Sequence, residues 1–355
     1  MSSAEVASAL PISDNQPNRL AVRRWLFVMI GLVILMVMVG GTTRLTGSGL
    51  SITEWRPVTG AIPPLDEQAW LSEFDRYRAS PQYQLLNAGM ELSEFKIIYW
   101  WEWGHRQLGR LLGVVFGCGI FWFALTGALR GRELLMAMGL ATLGGLQGAV
   151  GWIMVASGLK PGMIAVAPVK LMLHLTLASI ILTLLTLFAA RFSPPAKPDR
   201  SASRSWAVIV LVAILFQIAL GALVAGSRAG LTFNTWPLMD GRFFPNPQTL
   251  LAVSPLIENF VDNVAMVQFN HRMMAFVVLG LGLYATIRSR SIDPQAPAAQ
   301  RFVLVSGLVV LQFALGVITL IHAVPIVLGI AHQVLAMAIV VAAAWNSARS
   351  VALKT

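Results

Sequence analysis

Trp100-Trp101-Glu102-Trp103-Gly104-His105-Arg106 opens a long apolar run, and Gln268-Phe269-Asn270-His271-Arg272 opens another far downstream. A histidine inside a membrane-spanning segment is expensive to place and marks function by default. Here His-Arg occurs twice, each time where a hydrophobic segment begins. The rest of the chain reads as a scaffold that brings each of these histidines a partner.

The surroundings support that reading. Of 355 residues, 56% are hydrophobic and 12% charged, with a mean hydropathy of +0.70. A soluble globular chain carries about 25% charged residues. Eight apolar segments reach the roughly 20 residues a spanning helix needs: 25–43, 100–129, 134–157, 169–190, 206–226, 264–287, 302–321 and 326–346. The expected fold is therefore an all-α, polytopic membrane protein. A net charge of +10 would suggest nucleic acid in a soluble chain; here it reflects basic loops on the cytoplasmic side. With both termini inside, fourteen Lys and Arg but only five acids fall on the inner face, while the outer face is nearly balanced. Residues 1–18 contain Glu5 and Asp14 but no Lys or Arg, unlike a mitochondrial transit peptide, and show no cleavable signal pattern. The expected location is a bacterial inner membrane. The single cysteine, Cys118, lies within an apolar run. That excludes a disulfide framework and a cysteine metal site and reads as a small packed hydrophobe.

Two outer loops are long. In the first, residues 67–77 and 83–95 have the apolar period of short interfacial helices. The inner segment 193–205, with Pro194, Pro195 and Pro198, reads as a linker. It separates two halves that repeat. Gly49-Leu50-Ser51-Ile52-Thr53-Glu54-Trp55 aligns with Gly230-Leu231-Thr232-Phe233-Asn234-Thr235-Trp236, His105-Arg106 with His271-Arg272, Gln147 with Gln312, and His174 with His332. Four spans per half make a parallel repeat about the membrane normal. The expected units are an N-terminal tail 1–24, a four-helix half 25–192, the linker 193–205, a second four-helix half 206–346 and a tail 347–355.

Four of the five histidines, His105, His174, His271 and His332, fall on the even-numbered spans a few residues past their outer ends. The repeat pairs His105 with His174 and His271 with His332. One such histidine would be an ordinary interfacial polar residue; four at matched depth read as ligands, as in bundle cofactor sites. Two per half, without cysteine, suit a bis-imidazole haem better than tetrahedral zinc. Arg106 and Arg272 are placed to meet haem propionates, or else to snorkel toward lipid phosphate. The halves differ at one position. Glu102 lies three residues before His105 and faces the same way, whereas its counterpart is Gln268. A carboxylate can carry a proton and an amide cannot, so one half reads as chemically active and the other as an electron-transfer half. The plain alternative for Glu102 is an interfacial ion pair with Arg106 or Arg110. Gln147 and Gln312 read as interhelical hydrogen-bonding groups, and Gly144, Gly145, Gly148 and Gly221 as close helix contacts. His322 has no counterpart and reads as part of the outer rim.

At these residues the chain resembles haem A synthase. The pieces are Gly40-Gly41-Thr42-Thr43-Arg44-Leu45-Thr46-Gly47-Ser48-Gly49-Leu50-Ser51, Glu54-Trp55-Arg56-Pro57-Val58-Thr59-Gly60-Ala61-Ile62-Pro63-Pro64, the run from Glu94 to Arg106, Asn270-His271-Arg272, and the paired His174 and His332. The resemblance implies oxidation of a haem O methyl group to the formyl group of haem A. It implies that His105, His174 and Arg106 serve the substrate haem and that His271, His332 and Arg272 serve a haem B cofactor, with Glu102 as the carboxylate important for oxidation. Candidate partners are an electron donor, haem O synthase and a second copy of the chain; nucleic acid is not among them. Some family members carry a cysteine pair in outer loops; this chain has none and is similar to the cysteine-lacking alphaproteobacterial and mitochondrial members. Two rivals remain, a dihaem electron-transfer protein and a haem carrier without methyl chemistry. A transporter with parallel repeats leaves the matched histidines unexplained.

Overall fold

In lipid an apolar run satisfies its backbone only as a helix or a closed barrel, and this chain uses helices. The computed structural model describes residues 16–196 and 198–351. Residues 1–15 of the expected N-terminal tail, Lys197 and Lys354 lie outside the described residues, and residues 16–24, expected to belong to that tail, open α1 instead. In chain order the helices are α1 (Gln16–Leu45), α2 (Glu67–Arg78), α3 (Pro81–Leu86), α4 (Leu92–Leu125), α5 (Gly131–Gly158), α6 (Pro168–Arg191), α7 (Arg204–Gly226), α8 (Pro247–Leu250), α9 (Val264–Ile292), α10 (Pro297–Ile321) and α11 (Ile326–Arg349). Among the described residues, eight are long and apolar enough to cross a membrane: α1, α4, α5, α6, α7, α9, α10 and α11.

The second span departs most from expectation. It was expected over 100–129 with a separate interfacial helix at 83–95, but α4 begins at Leu92 and runs unbroken to Leu125. Glu91 and Glu94 form a reciprocal capping box that starts the helix there, and Gly127, at φ +70°, turns the chain after its end. The extra turns of α4 stand clear of the bundle and carry a cluster of their own. Phe95, Ile98 and Tyr99 pack there against Trp70, Phe74 and Tyr77 of α2. Gln82 of α3 ties this cap down by donating to Gly47 O at 3.0 Å.

The long helices form two rings of four. α1, α4, α5 and α6 contact one another in sequence and close with α6 on α1; α7, α9, α10 and α11 do the same. The rings meet through α6 on α7, α1 on α11 and α6 on α11. At this seam, residues equivalent in the repeat touch each other. Ser179 Oγ lies 4.0 Å from Met337 Sδ, each five residues past its histidine. Arg44, at the end of α1, donates to the carbonyl of Ala225, at the end of α7. The main core lies along this seam, with Leu182, Phe188, Val340 and Ala344 fully enclosed.

Arg19 donates to Arg191 O at 2.9 Å, and Asp199 N to Val351 O at 3.1 Å. The start of α1, the end of α6, the linker and the end of α11 therefore share one face. Cys118, expected to be packed, instead lies exposed on the outer surface of α4. Gly144, Gly145 and Gly148, expected at helix contacts, have no neighbour within 4 Å of where a Cβ would sit. Among the long helices α5 packs chiefly against α4 and α6, and the face carrying these glycines is open.

Candidate functional site

Each of the four histidines sits against a glycine of the preceding long helix. A Cβ on Gly40 of α1 would lie 3.0 Å from His105 Nε2 of α4, and one on Gly151 of α5 would lie 2.9 Å from His174 Cε1 of α6. In the second ring, Gly221 of α7 meets His271 of α9 at 3.0 Å, and Gly316 of α10 meets His332 of α11 at 2.9 Å. A larger residue would push each ring aside, so the glycines set where the imidazoles lie. All four rings are half-buried. His105 of α4 and His174 of α6 belong to one ring of helices, and His271 of α9 and His332 of α11 to the other. Gly221 thus is a close contact, as expected, but its partner is an imidazole.

One turn before three of these glycines stands a glutamine. Gln147 Nε2 lies 3.0 Å from His174 O and 3.1 Å from its Nδ1. Gln217 Nε2 lies 3.1 Å from His271 O and 3.1 Å from its Nδ1. Gln312 Nε2 lies 3.0 Å from His332 O and 3.2 Å from its Nε2. Gln147 and Gln312 therefore are interhelical hydrogen-bonding groups, and what they hold is the histidines. Gln217 was not foreseen. Its signal was available: a lone amide in the most apolar span of the chain, four residues before a glycine.

The amide oxygens of all three glutamines are buried without a partner, as is His332 Nδ1. A buried acceptor without a donor calls for a reason. A metal on one imidazole nitrogen leaves N–H on the other, and metal-bound histidines donate that N–H to a neighbouring acceptor. The three amides offer such an acceptor only through their unpartnered oxygens, because the atom within hydrogen-bond distance of each ring is the amide nitrogen. Among the described residues no group of three or more His, Cys, Asp and Glu is gathered as a metal site. Paired imidazoles without a third ligand fit the two axial positions of a haem iron rather than a zinc tetrahedron.

Glu102 is buried rather than solvent-facing. It is 3% exposed, with both oxygens occupied. Oε1 accepts from Arg106 Nη2 at 2.6 Å and Nε at 3.2 Å. Oε2 accepts from Ile52 N at 2.8 Å and Ser51 Oγ at 2.9 Å. Arg106 also donates to Ile52 O at 2.8 Å and Glu54 O at 3.0 Å, while Arg110 is spent on Pro57 O and Arg56 O. The ion pair with Arg106 is formed; the one with Arg110 is not.

The second half repeats this clamp with the polarity changed. Arg272 Nη2 donates to Phe233 O at 2.8 Å and to Gln268 Oε1 at 3.1 Å. Gln268 Nε2 donates to Ala229 O at 2.8 Å and Phe233 O at 3.3 Å. Ile52 and Phe233 are equivalent in the repeat. Glutamate thus holds its loop by accepting from backbone N–H, and glutamine holds its loop by donating to C=O. Arg272 Nε has no partner. The loop tryptophans follow the same symmetry: Trp55 packs on Trp152 of α5 and Trp236 on Phe313 of α10. His322, at the end of α10, is exposed, its Nδ1 2.9 Å from Ile318 O.

Outside the long first loop's clamp lies a cavity of about 320 Å³ lined by Glu54, Arg56, Glu73, Tyr99, Arg106 and Arg110. It is highly charged. Arg56 pairs with Glu54 and, at 3.1 Å, with Glu73; Arg76 pairs with Glu73 at 2.8 Å.

The cytochrome oxidase assembly protein model, COX15-CtaA, matches residues 23–344. This chain belongs to that family. Family relatives include a haem A synthase of Methylobacterium sp. (strain 4-46), 58% identical over 93% of this chain and 92% of its own length. A haem A synthase of Methylorubrum populi is 52% identical over 98% of this chain and 91% of its own. A third, from Azorhizobium caulinodans, is 49% identical over 96% of both. The matched span contains all four histidines, their glycines and both clamps, so the family resemblance covers the whole bundle.

Proposed function

We propose that this chain is a haem A synthase, an oxidoreductase that converts a methyl group of haem O to a formyl group by successive hydroxylations. What carries the reading is the fourfold His–Gly contact in two pairs, in a chain whose relatives are named for that activity. His105 and His174 hold the substrate haem, with Arg106 at its edge. His271 and His332, with Arg272, hold haem B as cofactor. Bound there, haem B supplies one-electron redox chemistry.

The protein's part is to ligate, orient and move protons. The glycines fix each ring's position and the glutamines its rotation. Glu102, one turn before His105, is the catalytic group. Arg106 fixes Oε1, and Oε2 is the atom that exchanges a proton, with the Ser51 hydroxyl at 2.9 Å as its neighbour. The unpartnered Nε–H of Arg272 and the remaining N–H of Arg106 are donors for haem propionates. The basic face, with the linker and both described ends, lies in the cytoplasm of a bacterial inner membrane. Haem O synthase, an electron donor and a second copy of the chain are the partners in this reading.

The test is to purify the protein in detergent, extract its pigments and identify each haem by chromatography and mass. Haem B together with haem O, hydroxylated haem O or haem A is the expected result. Haem B alone, at two per chain, overturns the reading in favour of a dihaem electron-transfer protein.

A further inference from the structure

The two rings of helices differ along one side. In the second ring α9 and α10 are joined at two levels. Phe276 of α9 packs edge-on against Phe313 of α10, with ring centroids 5.1 Å apart, and Trp236 of the outer loop leans on the same Phe313. Nearer the inner face the hydroxyls of Thr286 and Ser306 lie 2.8 Å apart, and Thr286 also donates to Phe302 O at 3.0 Å. The repeat sets Arg110 of α4 in the place of Phe276, Gly148 of α5 in that of Phe313, Ile120 in that of Thr286 and Ala141 in that of Ser306. None of these links can form between α4 and α5. Ile120 and Ala141 have no hydrogen-bonding side chain. Arg110 is turned to its own loop, donating to Pro57 O and Arg56 O at 2.9 Å and to Gln107 Oε1 at 2.8 Å. Gly148 has open space where its counterpart has an aromatic ring. The loop tryptophan of the first ring, Trp55, sits one turn further out, on Trp152. α4 and α5 accordingly pack less closely than α9 and α10.

We infer that the gap between α4 and α5 is the doorway through which a haem with a long apolar tail passes between the first ring and the lipid, and that the Phe276–Phe313 pair keeps the second ring closed on its own haem. This rests on the reading of His105 and His174 as holders of the substrate haem. Both helices are walls of that site. α4 carries His105, and Gly151 and Gln147 of α5 lie against His174. Gly148 stands between those two residues in the chain, so a gap there opens at the depth of the imidazoles. Gln147 Oε1, beside it, is buried without a partner, a polar atom left for what the ring holds. The outer loop of this ring is tied down by the bonds from Glu102 to Ile52 N and from Arg106 to Glu54 O, which leaves the side as the freer way in. A haem with an isoprenoid tail suits that route, because the tail leaves water for lipid. A substrate has to exchange at every turnover, whereas a cofactor has to stay. Two packed aromatic rings must be pulled apart before α9 and α10 can separate, and the Thr286–Ser306 bond must break as well. A glycine facing open space imposes neither cost.

The experiment uses the haem-loaded full chain in nanodiscs, mixed with an excess of empty phosphatidylcholine vesicles. The vesicles are separated at intervals, and the pigment they have gained is identified by chromatography and mass. The first ring's pigment is expected to pass to the vesicles while the second ring's haem stays. Gly148→Phe should slow that transfer several-fold with the visible spectrum unchanged. Gly148→Ala should transfer as the parent does, and so should Leu146→Phe, which places a ring at an exposed position of α5. Phe313→Gly should let the second ring's haem pass to the vesicles too. The inference is overturned if both pigments leave the parent at one rate, if loaded Gly148→Phe transfers at the parent's rate, or if Phe313→Gly holds its haem as the parent does. Should Gly148→Phe purify without the first ring's pigment, Phe313→Gly carries the test. The reading of the histidines fails separately, if His174→Ala leaves both pigments bound with unaltered spectra.

Discussion

Replacing Glu102 by glutamine looks isosteric, and the other half carries glutamine at the equivalent position. The geometry says the swap is not neutral. Glu102 Oε2 accepts from Ile52 N at 2.8 Å and from Ser51 Oγ at 2.9 Å. In Glu102→Gln the oxygen stays on Arg106 and the NH2 group faces the Ile52 N–H, donor against donor. A hydrogen bond to a charged acceptor contributes about 1.5–3 kcal/mol, and leaving a buried N–H unsatisfied costs a similar amount. At about 1.4 kcal/mol per factor of ten, the Ile52 amide should open roughly 10- to 150-fold more often. Hydrogen exchange with mass spectrometry on the peptide spanning residues 48–56, in detergent, reads this directly. Haem A production measured on the same preparation tests the catalytic role, and it should fall while haem content is kept. Unchanged exchange at residues 51 and 52 would refute the clamp argument. Full haem A production at full haem content would remove Glu102 from the chemistry, whatever the loop does.

Three further predictions follow from contacts described above. Gly316→Ala puts a methyl 2.9 Å from His332 Cε1 and should lower haem content in the second half, read from the pyridine haemochrome, whereas Gly148→Ala, with open space around it, should leave haem content unchanged. Tyr77 is fully enclosed; its hydroxyl donates to Gln82 and accepts from Asn87 at 2.6 Å, and burial raises its pKa. Tyr77→Phe removes the partner of the buried Gln82 amide oxygen and of the half-buried Asn87 amide and should cost about 1–3 kcal/mol, visible as a lower melting temperature in detergent. Burial pushes the Asp199 pKa up, but hydrogen bonds from the Ser201 hydroxyl, Ala298 N and Ser201 N, with Arg301 nearby, outweigh it and leave the pKa below its ordinary value. A depressed carboxylate pKa adds stability that is present above the unfolded value of about 3.9 and disappears as pH falls through the folded value. Melting temperature should therefore drop below about pH 4, and Asp199→Asn should flatten that acid limb; an identical limb in the variant would show that Asp199 is not responsible.

Composition and hydropathy were enough to reveal the eight spans, because lipid allows an apolar run few alternatives. The correspondence of the four histidines was legible through the repeat, and each meets a glycine of the preceding long helix. The start of α4 was not: residues 92–99 are polar enough to read as interfacial, and only the capping box and the packing of Phe95 and Tyr99 on α2 join them to the span. Gln217 escaped because a lone amide four residues before a glycine names no partner until α7 is seen packed against His271 of α9. The Glu102–Arg106 pair was legible as one reading of the sequence, but the rest of each clamp was not, because it is made to loop backbone and a sequence does not say which carbonyl a guanidinium will find. The glycines of α5 were misread because small residues serve helix contacts and outward-facing surfaces alike.

The seam where equivalent residues meet has a consequence for charge. In a dimer of two identical halves, any side chain on the two-fold axis faces its own copy. An arginine at position 44 would then confront another arginine in a buried setting, two like charges with no counterion. Joining the halves into one polypeptide removes that constraint. One copy keeps Arg44 and the other presents Ala225, whose carbonyl receives it. The same freedom lets a small Ser179 sit against a long Met337, where symmetry would demand two serines or two methionines. A single chain can thus build an axis out of complementary rather than identical partners, and that is also what allows its two rings of helices to differ.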